Sequence, residues 1–276
     1  YGAEIHVLHV ITIFEDQPSV VSNEIAETKE MVRKLEDIAE KQLNKIVDSH
    51  SADDIKITTE VKRSLSAAPA ILEYASENKI DLIVMGTHGR RGLGHLLLGS
   101  AAEEVIRLAP CPVFTIRELK EPKPVMQVNN ILVPIDFSNY SEKALAYASE
   151  IAQSYNAQLQ LLHIIEETMH PAFSVTGKSS IFDLVPGIKD DSKKRTEKML
   201  NKFVSDKVKS KVFIQGGRAA NDIIKFAKEN STDLIVIATH GLTGLEHMLL
   251  GSVTEKVVRM AHCPVFTVKA FGKTEI

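Results

Sequence analysis

Residues 81–116 read DLIVMGTHGRRGLGHLLLGSAAEEVIRLAPCPVFTI, and residues 233–268 read DLIVIATHGLTGLEHMLLGSVTEKVVRMAHCPVFTV. About 23 of the 36 aligned positions are identical, at an offset of about 152 residues. That period is domain-sized, not that of a stacked repeat. Each copy has the same parts: an apolar strand, a glycine-rich loop, a helix starting at Gly-Ser, and a Cys-Pro turn into another strand. A strand feeding a glycine-rich loop and a helix N-terminus is suited to holding phosphate, because unpaired N–H groups and the helix dipole face the anion.

The rest of the chain is ordinary in bulk. It has 276 residues, 44% apolar and 25% charged, enough for two globular domains with real cores. A formal charge of −3 gives no broad basic field, which speaks against nucleic acid or an anionic membrane as a main partner. No apolar run approaches transmembrane length. Cys111 and Cys263 occupy the same place in each repeat, so they are inherited small residues at the start of a strand, not a disulfide framework. Such usage fits a reducing cytoplasm.

Taken in order, GAEIHVLHVITIF (2–14) predicts a buried parallel strand. From Asn23 to Ser49, apolar residues including Met31, Val32, Leu35, Ile38, Ala39, Leu43 and Ile46 recur at helical steps, predicting a long amphipathic helix. A strand over 55–61 and a helix over 67–77 follow, with Pro69 in the first helical turn. Residues 118–129, with two prolines and no period, read as a linker. Beyond it come a strand at 131–135 and a helix from Asn139 that have no counterpart in the first copy, until Tyr155-Asn156-Ala157 meets Tyr1-Gly2-Ala3. The first copy is thus short by about 26 residues, one strand–helix pair, and the expectation is that the native protein starts upstream of Tyr1. A domain lacking that central strand would carry an exposed sheet seam. The second copy also has a long connection over 165–188, where the first has only 12–22; a lid and a mobile loop are both open for it. A helix over 191–208, a strand over 211–215 and a helix over 221–229 lead to the second signature. Alternating strands and helices predict a parallel α/β sheet with ligands at the carboxyl ends of its strands.

At its glycine-rich loops the chain resembles the universal stress protein family in its tandem form. The family's signature is Gly, two residues, Gly, nine residues, Gly, then Ser or Thr. The first copy matches with Gly86, Gly89, Gly99 and Ser100, while the second has Ala238, Gly241, Gly251 and Ser252. ILVPIDFS with Asp136, and the closing CPVFTV, also look like the family. The resemblance implies two doubly wound, Rossmann-like domains of the adenine nucleotide alpha hydrolase type, over 1–117 and 130–270, related by a pseudo-two-fold axis. It implies ATP or a related adenine nucleotide as ligand, with Mg²⁺ or Mn²⁺ carried by its phosphates. Base and ribose would lie against Pro134, Ile135, Asp136 and Ile164. Ribose or phosphates would lie against Ala238, His240, Gly241, Gly251, Ser252, Val253 and Thr254, or against Gly86, His88, Gly89, Gly99 and Ser100 in the first copy. Asp136 has an alternative reading as a charge or cap at the start of the next helix.

The two copies are unequal: the first has the intact signature but lacks a strand to hold the base, and the second has every strand but carries Ala238. The expectation is that the second copy holds nucleotide. His88, His95, His240 and His247 recur in matched pairs without partner ligands at metal spacing, so no protein-ligated metal is expected. The family implies a cytoplasmic stress-response sensor or adaptor; the alternative is a nucleotide-free scaffold. Adenylate-transferring relatives carry Ser-Gly-Gly-x-Asp-Ser or His-Ile-Gly-His motifs, which are absent here, so at most slow ATP hydrolysis is expected. The resemblance also implies that the last strands, 112–116 and 264–268, pair the two domains within one chain, and it leaves room for a homodimer.

Overall fold

A computed structural model of the chain describes residues 2–12, 22–50, 55–87, 98–117, 127–167, 180–241 and 250–269, with backbone only for 22–29 and 50. The first half holds β1 (Ile5–Thr12), α1 (Ser22–His50), β2 (Ile57–Ser64), α2 (Ala67–Glu77), β3 (Ile83–Gly86), α3 (Ser100–Leu108) and β4 (Val113–Ile116). The second holds β5 (Asn130–Pro134), α4 (Asn139–Tyr155), β6 (Gln158–Glu166), α5 (Ile181–Leu184), α6 (Ile188–Phe203), β7 (Ser210–Gly217), α7 (Ala219–Glu229), β8 (Leu234–Ala238), α8 (Ser252–Met260) and β9 (Val265–Val268). The helix expected over 191–208 thus starts and ends earlier. Gly187 (φ +88°) turns the chain into it and Val204 is already extended.

The chain divides into two compact units, Tyr1–Lys79 and Ile80–Ile276. In the second, seven strands form one sheet in the order β3-β4-β9-β8-β5-β6-β7. All pairs are parallel except β4 with β9. Central β5 has Ile131, Leu132 and Val133 fully buried, and β8 is buried throughout, which explains why both read as unbroken apolar runs. On one face α4 lays down Ala144, Leu145, Ala148 and Ala152, small residues that bring the helix close to the sheet. Its ends are set by sequence: Ser138 caps the N-terminus by accepting from Ser141 N (3.2 Å), and Asn156 closes the other end in the left-handed region.

Strand order reverses at β5, which pairs with β6 on one side and β8 on the other. This switch point opens a crevice at the carboxyl ends of the strands.

β4 and β9 run antiparallel in the register Val113↔Thr267, Phe114↔Phe266 and Thr115↔Val265. The contact is reciprocal: Thr115 Oγ donates to Val265 O (3.0 Å) and Thr267 Oγ to Val113 O (3.1 Å), around the edge-to-face Phe114–Phe266 pair.

In the other unit, β1 and β2 form a separate parallel pair, Ile5↔Ile57 through Thr12↔Ser64. The equivalents of these strands in the second half, β6 and β7, join the main sheet through β5. On β3, Val84 is 59% exposed. On α1, Val32, Ala39 and Leu43 are buried, but Met31, Leu35, Ile38 and Ile46 are exposed. In the second half the matching helix, α6, is covered by α4, with Ser205 N donating to Ser149 Oγ and Lys202 near Glu142. Cys111 and Cys263 sit before β4 and β9; burial, reinforced by Asp81, pushes the Cys111 thiol up to about 11. Among the described residues no helix is long and apolar enough to cross a membrane.

Candidate functional site at the strand switch point

The crevice is a cavity of about 320 Å³ between β5, β6, β8, α7 and α8, within the range of small-ligand sites. Its floor is apolar: Leu162 and Ile164 from β6, Ile237 and Ala238 from β8, Ile135 from the loop after β5, and Ile223 from α7. These side chains point there because each stands at the carboxyl end of its strand or on the sheet-facing side of its helix.

Asp136 follows β5. Its Oδ1 accepts from Ser138 N (3.0 Å) and Ser138 Oγ (2.6 Å), which shapes the turn into α4. Its Oδ2 faces Gly241: a Cβ built there would stand 2.5 Å from that oxygen. One oxygen of Asp136 thus orders the helix start and the other is turned toward Gly241. Phe137, next in sequence, is held at φ +65°.

Opposite Asp136, α8 begins directly behind β8. Gly251 N donates to Thr239 O (2.9 Å), and a Cβ on Gly251 would approach that carbonyl to 3.0 Å. Glycine permits this contact, which brings the unpaired N–H groups of the first helical turn to the cavity at Ser252, Val253 and Thr254. Thr254 Oγ donates to Ala238 O (2.7 Å), so this hydroxyl anchors the helix to the strand. His240 is 7% exposed, with Nδ1 2.9 Å from Thr239 Oγ and its ring against Tyr140.

Ala238 is a strand residue paired with Val268 and is not among the positive-φ residues. Its methyl is accommodated in ordinary extended backbone. Gly86 likewise ends β3, opposite Ile116. The first copy repeats the frame: Thr87 N donates to Ile116 O (3.0 Å) and Gly99 N to Thr87 O (2.9 Å), with Ser100 opening α3. Gly86, Gly99 and Ser100 are thus placed like Ala238, Gly251 and Ser252, but among the described residues β3 is the end strand of its sheet. His88, Gly89, His95 and His247 lie outside the described residues, as does most of the linker. Among the described residues no cluster of three or more His, Cys, Asp or Glu forms a metal cage.

Several cavity residues escaped the sequence reading: Ser141, Leu162, His163, Glu166, Ala219 and Ile223. His163 Nδ1 lies 2.7 Å from Ile135 O; a carbonyl only accepts, so Nδ1 carries the proton. Burial pushes the His163 pKa down and Arg195 adds to this, against opposing effects of the Ile135 bond and Asp136. A signal for α7 was present in the Gly216-Gly217 pair at the end of β7, where Gly217 has φ +149°.

The arrangement offers an apolar slot for a flat ring, a carboxylate for hydroxyl donors, and a helix N-terminus for anionic oxygens. A sequence model described as the universal stress protein family matches residues 1–117 and 127–269. Universal stress protein YxiE of Bacillus subtilis is 34% identical over 146 residues, covering 51% of this chain and 99% of that protein. Universal stress protein MJ0531 of Methanocaldococcus jannaschii is 34% identical over 140 residues, covering 50% of this chain and 81% of that one. The crystal structure of a universal stress protein from Archaeoglobus fulgidus superposes with a TM-score of 0.67 at 20% identity, covering 98% of this chain and 90% of that one. The fold is therefore the Rossmann-like α/β fold of those proteins. With its domain matched twice along the sequence, the chain belongs to the universal stress protein family.

Proposed function

We propose that the cavity of the second copy binds ATP or a related adenine nucleotide, with any Mg²⁺ or Mn²⁺ carried by the phosphates. Pro134, Ile135 and Ile164 would contact the base, Asp136 the ribose, and Ala238, His240, Gly241 and the Gly251–Thr254 turn the phosphates. In this reading the nucleotide state makes the protein a sensor or adaptor in a cytoplasmic stress response. The observation that carries it is the convergence of an apolar slot, Asp136 and the open N-terminus of α8 in one cavity. In the first copy Gly86, Gly99 and Ser100 stand in the same frame, and in this reading they would serve a nucleotide there together with His88 and Gly89. The domain boundaries 1–117 and 130–270 belong to the same reading, as does pairing of the copies through their last strands, for which the reciprocal β4–β9 contact speaks. Isothermal titration with ATP and Mg²⁺ tests it, together with mass spectrometry of nucleotide carried through purification. Saturable heat abolished by Asp136→Ala is expected; steady turnover lost in the same variant would make the protein an enzyme instead.

A nucleotide-free scaffold is the second reading, favoured by a β4–β9 contact that needs no ligand. No heat and no thermal shift with millimolar ATP would establish it, and sedimentation of the whole chain would show whether it forms a homodimer.

A further inference from the structure

The loop carrying Asp136 contains a residue in the wrong place. Phe137 sits at φ +65°, a region that bulky side chains avoid because Cβ crowds the backbone, and where such a residue is a true outlier. An unfavoured backbone persists only where the surroundings over-determine it. Two side chains do so here. The guanidinium of Arg195, on α6, lies 4.2 Å from the Phe137 ring centroid, and the His163 ring, on β6, packs on it at 4.3 Å. His163 also donates from Nδ1 to Ile135 O, two residues before Phe137. The backbone of Ile135 and the side chain of Phe137 are thus fixed on either side of Asp136, whose Oδ1 is already engaged by Ser138.

We infer that Arg195 and His163 are positioning residues for the ligand loop: by packing on Phe137 they hold 135–138 in a strained form that aims Asp136 Oδ2 at the cavity. The inference rests on the nucleotide reading for its consequence but not for its geometry. If the clamp is released, the backbone preference of Phe137 draws the loop away, the binding-competent fraction falls, and apparent affinity falls in proportion.

Glycine at 137 has no backbone objection to φ +65°, so the clamp becomes redundant in a Phe137→Gly background. Wild type, Arg195→Gln, Phe137→Gly and the double variant are compared. Hydrogen exchange of the 133–141 backbone without nucleotide reads the clamp itself, and titration with ATP and Mg²⁺ reads its consequence. Arg195→Gln is expected to speed exchange and weaken ATP about fivefold with Phe137 present, and to change neither by more than about twofold in the Phe137→Gly background. Arg195→Lys should restore part of the loss, because a cation remains over the ring. A merely structural Arg195 would cost the same in both backgrounds, and that result overturns the inference, as does unchanged loop exchange in Arg195→Gln. If wild type binds no ATP while the exchange coupling is present, the nucleotide reading fails and the clamp stands.

Discussion

Gly251→Ala is the most informative single substitution, because the chain contains its own control. The added Cβ would stand 3.0 Å from Thr239 O, a few tenths of an ångström inside ordinary contact, and the obstacle is backbone, not a flexible side chain. Either the 2.9 Å Gly251–Thr239 bond or the 2.7 Å Thr254–Ala238 bond must lengthen. Overpacking of this kind costs about 1–3 kcal/mol, offset by less than about 1 kcal/mol of unfolded-state entropy. A net loss of about 1–2 kcal/mol corresponds to a melting decrease of about 2–4 °C at this chain length. Gly99 donates to Thr87 O at the same 2.9 Å, and both glycines have nearly the same backbone angles, so Gly99→Ala should lose similar stability. Only Gly251→Ala moves the first-turn N–H groups that face Asp136. It should weaken ATP by about tenfold, about 1.4 kcal/mol, the scale of one charge-assisted hydrogen bond. Gly99→Ala should leave affinity unchanged. Calorimetric titration and thermal melting of both variants decide the matter; equal losses of affinity, or none in Gly251→Ala, would refute assignment of the ligand to the second copy.

Three other outcomes follow from the same geometry. Restoring the signature with Ala238→Gly should leave ATP affinity within about twofold, since Ala238 is already in extended backbone, while denaturant unfolding shows a loss of about 1 kcal/mol from a strand glycine. The ligand-free protein should lose stability as pH falls through the lowered folded pKa of His163. The stabilising contribution is complete above the unfolded value of about 6.5, and thermal melts from about pH 7.5 to about pH 5 should show a shallower fall in His163→Asn. Thr115→Val and Thr267→Val each remove one hydroxyl from the reciprocal β4–β9 contact and should each cost about 1 kcal/mol in denaturant midpoint; a cost from only one of them would deny that reciprocity.

Much of the architecture was legible because buried parallel strands announce themselves as apolar runs and the repeat cross-checks each element. The strand at β5, the helix from Asn139 and the helix starts at Ser100 and Ser252 all fell where local chemistry put them. Apolar periodicity could not reveal which side of α1 would be covered, since Met31 and Ile38 are as apolar as Ala39 and Leu43; coverage is decided by what packs on the helix, which periodicity does not encode. In the site, glycines and Asp136 were readable because their residue types are tied to backbone freedom and charge. His163, Ala219 and Ile223 were not, because ordinary strand and helix residues acquire a place in the cavity only through sheet order. The unusual backbone of Phe137 left no trace in its residue type, which by itself argues against that conformation.

The pairing of β4 with β9 has a temporal consequence. Thr115 finds Val265 only after 150 further residues have been added to the chain. At synthesis rates of about 5–20 residues per second, β3, α3 and β4 wait about 8–30 s for their partner strand to be made. During that interval Val113 and Phe114 have no β9 to cover them, and the stretch is open to chaperones or to premature pairing with another nascent chain. The finished sheet therefore closes in an order set by the ribosome, with its earliest-made edge among the last pieces to dock.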